Sequence, residues 1–171
     1  MPTELNKAIL KRLSPCFNNS ACSKPDMIIT GGTIVDTKGG QFKRADIAVK
    51  NGKIAAVIDG GAAQDLLNDP EITQHDASGK FISPGFINTH LHIESSLITP
   101  QEYSRMITPR GTTTIVCDPH EAANVIGTPA FDFFLDSAQE SILDIYMGIS
   151  TCVPSMSLGS SGAEINAIDM K

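Results

Sequence analysis

The chain has 171 residues, of which 41% are hydrophobic and 19% charged, with a formal net charge of −6. That length suits one ordinary domain or two small ones, with enough apolar residues for a packed core. There is no Lys/Arg-rich block and no apolar run near the roughly 20 residues of a membrane helix, which argues against a nucleic-acid partner and against a membrane span.

Near the N-terminus, Lys7, Lys11 and Arg12 precede no apolar core, so no secretory signal is expected. Cys16, Cys22, Cys117 and Cys152 form no C-x-x-C pair, which suits reduced thiols in a cytoplasmic protein. Over residues 1–25, Leu5, Ile9 and Leu13 recur at helical spacing and predict a short amphipathic helix followed by loop. Residues 26–80 predict a small β-sandwich-like domain. Met27-Ile28-Ile29 starts a strand, Gly31-Gly32 interrupts it, and Thr33-Ile34-Val35 resumes it. Ile47 and Val49 alternate with polar neighbours, Asn51-Gly52 signals a type I′ hairpin, and Lys53–Ile58 returns.

From Phe81 the pattern changes. Phe81–Asn88 predicts an apolar strand. Thr99-Pro100-Gln101-Glu102 carries a capping residue, a first-turn proline and a capping-box acid, so a helix starts there with Tyr103, Met106 and Ile107 as its buried face. Thr112–Cys117 predicts a second strand. Thr128-Pro129 opens another helix, with Phe131, Phe134, Leu135 and Ala138 on one side, and Ile142–Thr151 predicts a third strand. Strands alternating with helices mean βαβ units and a parallel sheet. The fold class is therefore α/β, with about three strands of a (β/α)₈ barrel over residues 81–171.

Polar residues cluster at these strand ends. His90 and His92 stand two apart, which on a strand places both imidazoles on one face with Leu91 turned away. Such a pair is suited to one metal ion. His120 follows the next apolar run and is a third candidate ligand. Imidazole and carboxylate suit zinc, iron or manganese. Asp118 and Glu121 can carry protons for a metal-activated water, or they can cap the helix that follows. Glu94 has equal claims to a site role and a structural one. Cys152 reads more readily as a small packed hydrophobe.

Taken together, Ile29–Asp36, Ala45–Val49 and Pro84–His92 resemble the amidohydrolase superfamily. His92-Ile93-Glu94-Ser95-Ser96, Gly111–Thr114, Asp118–Val125 and Cys152-Val153-Pro154 are similar to the adenine deaminases within it. The resemblance implies hydrolysis of adenine to hypoxanthine and ammonia in purine salvage, by metal-activated hydroxide. It implies a binuclear centre, manganese first with iron or zinc as alternatives, on a (β/α)₈ barrel beside a small β-domain. His90 and His92 match the ligand pair of the first barrel strand, and His120 with Glu121 matches the second motif. Adenine is the expected partner, and the resemblance allows a homodimer. Other cyclic amidases and deacetylases of the superfamily are the alternative.

A (β/α)₈ barrel takes about 250 residues. Residues 81–171 leave room for about three strands. The expectation is thus an N-terminal portion of a longer protein, with little activity alone, or a non-catalytic fragment.

Overall fold

Asn51 and Gly52 both take positive φ, 50° and 71°, in the tight turn between two antiparallel strands. That is the backbone a type I′ turn demands, and it matches the twist of the strands it joins. The computed structural model describes residues 24–59, 64–150, 152–156 and 158–169. The helix expected around Leu5–Leu13 lies outside them. The chain divides into two units, Met1–Pro84 and Gly85–Lys171.

In the first unit the strands are β1 (Met27–Thr30), β2 (Thr33–Asp36), β3 (Gln41–Lys50), β4 (Lys53–Asp59), β5 (Thr73–Asp76) and β6 (Phe81–Ile82), with a short helix α1 (Gln64–Leu67) after β4. The long β3 is the organiser, pairing antiparallel with β1, β2 and β4. β5 joins β1 and β6 joins β2, both in parallel. Gly31, at φ 72°, turns the chain between β1 and β2, and its N–H donates to the buried Asp46 Oδ1 at 3.0 Å. Ile28, Ala48, Ile58, Leu66 and Ile72 form the core. β5 has no apolar alternation, because all four of its residues are exposed.

The expected strand Phe81–Asn88 is two strands. Phe81-Ile82 pairs with Thr33-Ile34 in the first unit, and Phe86–Leu91 belongs to the second. Ser83-Pro84-Gly85 separates them, and Pro84 has no N–H for a ladder. Gly85 lies so close to Thr113 that a Cβ there would come within 2.1 Å of its hydroxyl oxygen.

The second unit holds β7 (Phe86–Leu91), α2 (Pro100–Ile107), β8 (Thr112–Cys117), α3 (His120–Ile126), α4 (Pro129–Gln139) and β9 (Asp144–Met147). The strands run in parallel in the order β7-β8-β9. Thr99 caps α2, accepting the Glu102 N–H at 3.4 Å. The Glu102 side chain pairs with Arg105 instead of reaching back, so half of the capping box forms. Tyr103 and Ile107 pack on the core, but Met106 is 54% exposed and the buried positions are Pro100 and Ser104. On α4 the buried face is Ala130, Phe134 and Ser137, while Leu135 is exposed. β9 is shorter than the expected Ile142–Thr151. After Met147 the chain leaves the ladder, and the Gly148 N–H donates to the Cys117 carbonyl at 2.7 Å. Ile93, Ile115, Cys117, Phe134 and Leu143 form the main core, and Ala123, Ala130, Val153 and Ile165 form a smaller one.

Candidate metal centre

Parallel strands present all their C-terminal ends at one edge, so the segments that follow β7, β8 and β9 meet there. His90 ends in β7 and His92 follows it. Their rings stand 5.0 Å apart between centroids and perpendicular. The His92 Nδ1 lies 2.7 Å from the Asp118 carbonyl oxygen. A carbonyl can only accept, so Nδ1 carries the hydrogen and Nε2 keeps its lone pair for a cation. The Asp118 N–H in turn donates to the Leu91 carbonyl at 2.9 Å, which ties the end of β8 to the end of β7.

Two groups of ligand atoms result. His90, His92 and Asp118 bring theirs within 4.8 Å of one another, and so do His92, Glu94 and Glu121. His92 belongs to both. Glu94 follows β7 and reaches the first turn of α3, where its Oε1 accepts the N–H groups of Glu121 and Ala122 at 3.0 and 3.4 Å. Its Oε2 is buried and has no hydrogen-bond partner among the described residues. Glu121 Oε1 accepts the Ser95 hydroxyl at 2.5 Å, and its Oε2 lies 3.3 Å from His92 Nδ1.

Burial raises the Glu94 carboxyl above the ordinary glutamate range, and the adjacent Glu121 raises it further. For Glu121, burial also acts upward. The Ser95 hydroxyl, the backbone, Glu94 and His92 together outweigh it and hold this carboxyl low. The two carboxyls are thus pushed apart, Glu94 up and Glu121 down. Under them, burial pushes the Cys117 thiol up to about 11, helped by Glu94 and Asp118.

The donor set is two imidazoles and three carboxylates, which suits a divalent transition ion. The orphaned Glu94 Oε2 supports the same fit, because a buried acceptor without a donor is costly and a cation relieves that cost. His120 is placed differently. Its ring stands 5.7 Å from that of His92, and its Nδ1 lies 3.9 Å from Cys152 Sγ. It enters neither three-donor group among the described residues. Asp118, expected to carry protons, sits with the imidazole pair, and Glu121 sits in the second group. Ser150 is the residue that sequence reading missed. It is 2% exposed, and its hydroxyl donates to Asp118 Oδ1. No motif marks it, since it lies inside an apolar run after the third strand.

Comparison with known proteins places these residues in a family. Residues 81–170 match the amidohydrolase family. Adenine deaminase 1 of Rhizobium etli is 46% identical over 140 residues, covering 82% of this chain and 23% of that protein. Adenine deaminase 2 of Desulfotalea psychrophila is 38% identical over 167 residues, covering 98% of this chain and 27% of that protein. The chain spans about a quarter of the length of these curated relatives. Among solved structures, N-acyl-D-glutamate deacylase from Bordetella bronchiseptica, crystallised with zinc and a phosphonate inhibitor, superposes with a TM-score of 0.56 at 28% identity over 79% of this chain and 32% of that one. D-aminoacylase superposes with a TM-score of 0.54 at 23% identity over 75% of this chain and 30% of that one, a likeness of fold. The family match covers the strands and loops that gather the donor groups, and this chain belongs to the amidohydrolase family.

Proposed function

We propose that this chain carries the opening strands of an adenine deaminase and supplies the first ligands of its metal centre. The observation that carries the reading is the 46% identity to an adenine deaminase over 140 residues, a span that includes the gathered His90, His92, Asp118 and Glu121. The reaction is the hydrolysis of adenine to hypoxanthine and ammonia, as part of purine salvage in the cytoplasm. Manganese is the proposed metal, as a pair of ions, with iron or zinc as alternatives.

A divalent ion held here would lower the pKa of a bound water toward neutrality. His90, His92 and Asp118 would hold one ion, and the Glu94 and Glu121 carboxylates beside His92 would line the position of the second. His120 stands at the border of the same centre. His92 is kept in one tautomer by the Asp118 carbonyl, which leaves Nε2 outward for the ion. Glu121, held low by Ser95 and its neighbours, is ionised near neutral pH and takes up a proton at its carboxylate. Without a metal, Glu94, held high by burial, keeps a proton to a higher pH than Glu121. The likeness to a deacylase at 28% identity supports a second reading, hydrolysis of an acylated amino acid.

The test joins this chain to the remaining C-terminal length of an adenine deaminase relative. Hypoxanthine and ammonia should form in equal amounts when adenine and manganese are supplied, and the 171-residue chain alone should form far less. Turnover of an N-acyl amino acid or a hydantoin with adenine untouched would overturn the adenine reading.

A further inference from the structure

We infer that Ser150 is a positioning residue of the metal centre: its buried hydroxyl fixes the Asp118 carboxylate so that the second carboxylate oxygen completes a donor set with His90 and His92. This rests on the metal-binding reading above. The Asp118 backbone is already held from the β7 side, through its N–H to Leu91 and its carbonyl from His92. Its side chain is not held by those bonds. The terminal torsion of an aspartate is broad and roughly two-fold, so rotamer preference alone does not aim the carboxylate. Ser150 does, from the loop after β9, by donating its hydroxyl to Oδ1.

The placement of Ser150 is itself determined. Only 2% of it is exposed, and a buried hydroxyl without a partner is costly. The Gly148 N–H, two residues earlier, donates to the Cys117 carbonyl and draws this loop against the end of β8. A hydroxyl donating to a carboxylate is a strong, charge-assisted bond, and it leaves the second carboxylate oxygen for a cation. Asp118 therefore joins all three strand ends. β7 holds its backbone, β8 carries it, and the loop after β9 orients its carboxylate.

The experiment titrates zinc and manganese separately into the purified 171-residue chain by calorimetry, and follows thermal unfolding of the metal-free forms. Ser150→Ala should weaken metal binding by about tenfold, the lower end of the effect of removing a partner that orients a ligand. Ser104→Ala removes a hydroxyl that is also buried but donates to the Gln101 carbonyl within its own helix, and should leave metal affinity unchanged. In an Asp118→Asn background, Ser150→Ala should cause no further loss. Ser150→Cys, which keeps a weaker donor, should lie between Ser and Ala and serves if the alanine variant unfolds. Undiminished affinity in Ser150→Ala, or the same loss with Asp118→Asn present, or an equal loss in Ser104→Ala, overturns the inference while the metal reading stands. A parent chain that takes up neither ion overturns both.

Discussion

The two units of this chain treat the same residue types in opposite ways. In the first, His75 and Asp76 are neighbours on the exposed strand β5, and among the described residues no three-donor group forms around them. In the second, His90, His92 and Glu94 from the end of β7 and Asp118 and Glu121 from the end of β8 gather at one place. The difference is one of strand direction. The first sheet is mixed, and its organising strand β3 pairs antiparallel with three neighbours, so chain turns fall at both edges. The second is all parallel, so every strand ends at the same edge and the polar residues that follow must meet. A histidine next to an acid becomes a site only where topology returns the chain to the same place.

The comparison breaks first at the cores. Ile28 is fully buried in the first unit and Ile115 in the second. Either residue changed to Ala should cost about 2–5 kcal/mol by chemical denaturation. Only Ile115→Ala should also weaken metal uptake, since Ile115 lies beneath the strand ends. Equal loss of metal in Ile28→Ala would show that the first unit supports the centre.

At the histidines the contrast is sharper. His92 serves both donor groups, so His92→Ala should reduce zinc affinity by more than about 100-fold, beyond the 10–100-fold typical of orienting partners. His75→Ala should leave the titration unchanged. A similar loss in both would mean that the ion is not held at the parallel edge.

Cys117 probes how closed the floor beneath the site is. Its thiol is raised from 9.0 to about 11, which leaves about 100-fold less thiolate at pH 8 than an ordinary cysteine. In a Cys16→Ser, Cys22→Ser background, Cys117 should react with a thiol reagent far more slowly than the partly exposed Cys152, because it is buried and its thiol is raised. Comparable rates would show that the core of the second unit opens.

The smallest effect concerns pH. Glu94 has its folded carboxyl raised above the ordinary 4.5. The metal-free protein therefore gains stability from this group while it is protonated, and loses it as pH rises from near 4.5 through the higher folded value. Glu94→Gln keeps the neutral shape and an acceptor for the α3 N–H groups, so thermal melts across that window should flatten. An unchanged slope would mean that Glu94 is not shifted by burial.

Much of the second unit is legible locally, and the exceptions are instructive. The His90/His92 pair follows from a period of two, and the Thr99-Pro100 helix start follows from capping chemistry. Helical spacing predicts Met106 and Leu135 on the inner faces, and both lie outward. Spacing identifies an apolar stripe, but it does not say which edge of the stripe meets the sheet. Its position after a strand makes His120 a candidate ligand, and the fold sets its ring 5.7 Å from that of His92, with Nδ1 3.9 Å from Cys152 Sγ.

The alternation of strands and helices, the Asn51-Gly52 turn and the paired imidazoles are local properties, because each depends on residues close together in the chain. Tertiary structure decided the rest of the centre. The contacts of His92 with Asp118, of Glu94 with Glu121 and of Ser150 with Asp118 span 26, 27 and 32 residues. No local period reaches that far. These groups meet because parallel strands return the chain to one edge, and because a buried carboxylate or hydroxyl must find a partner among whatever the fold brings there.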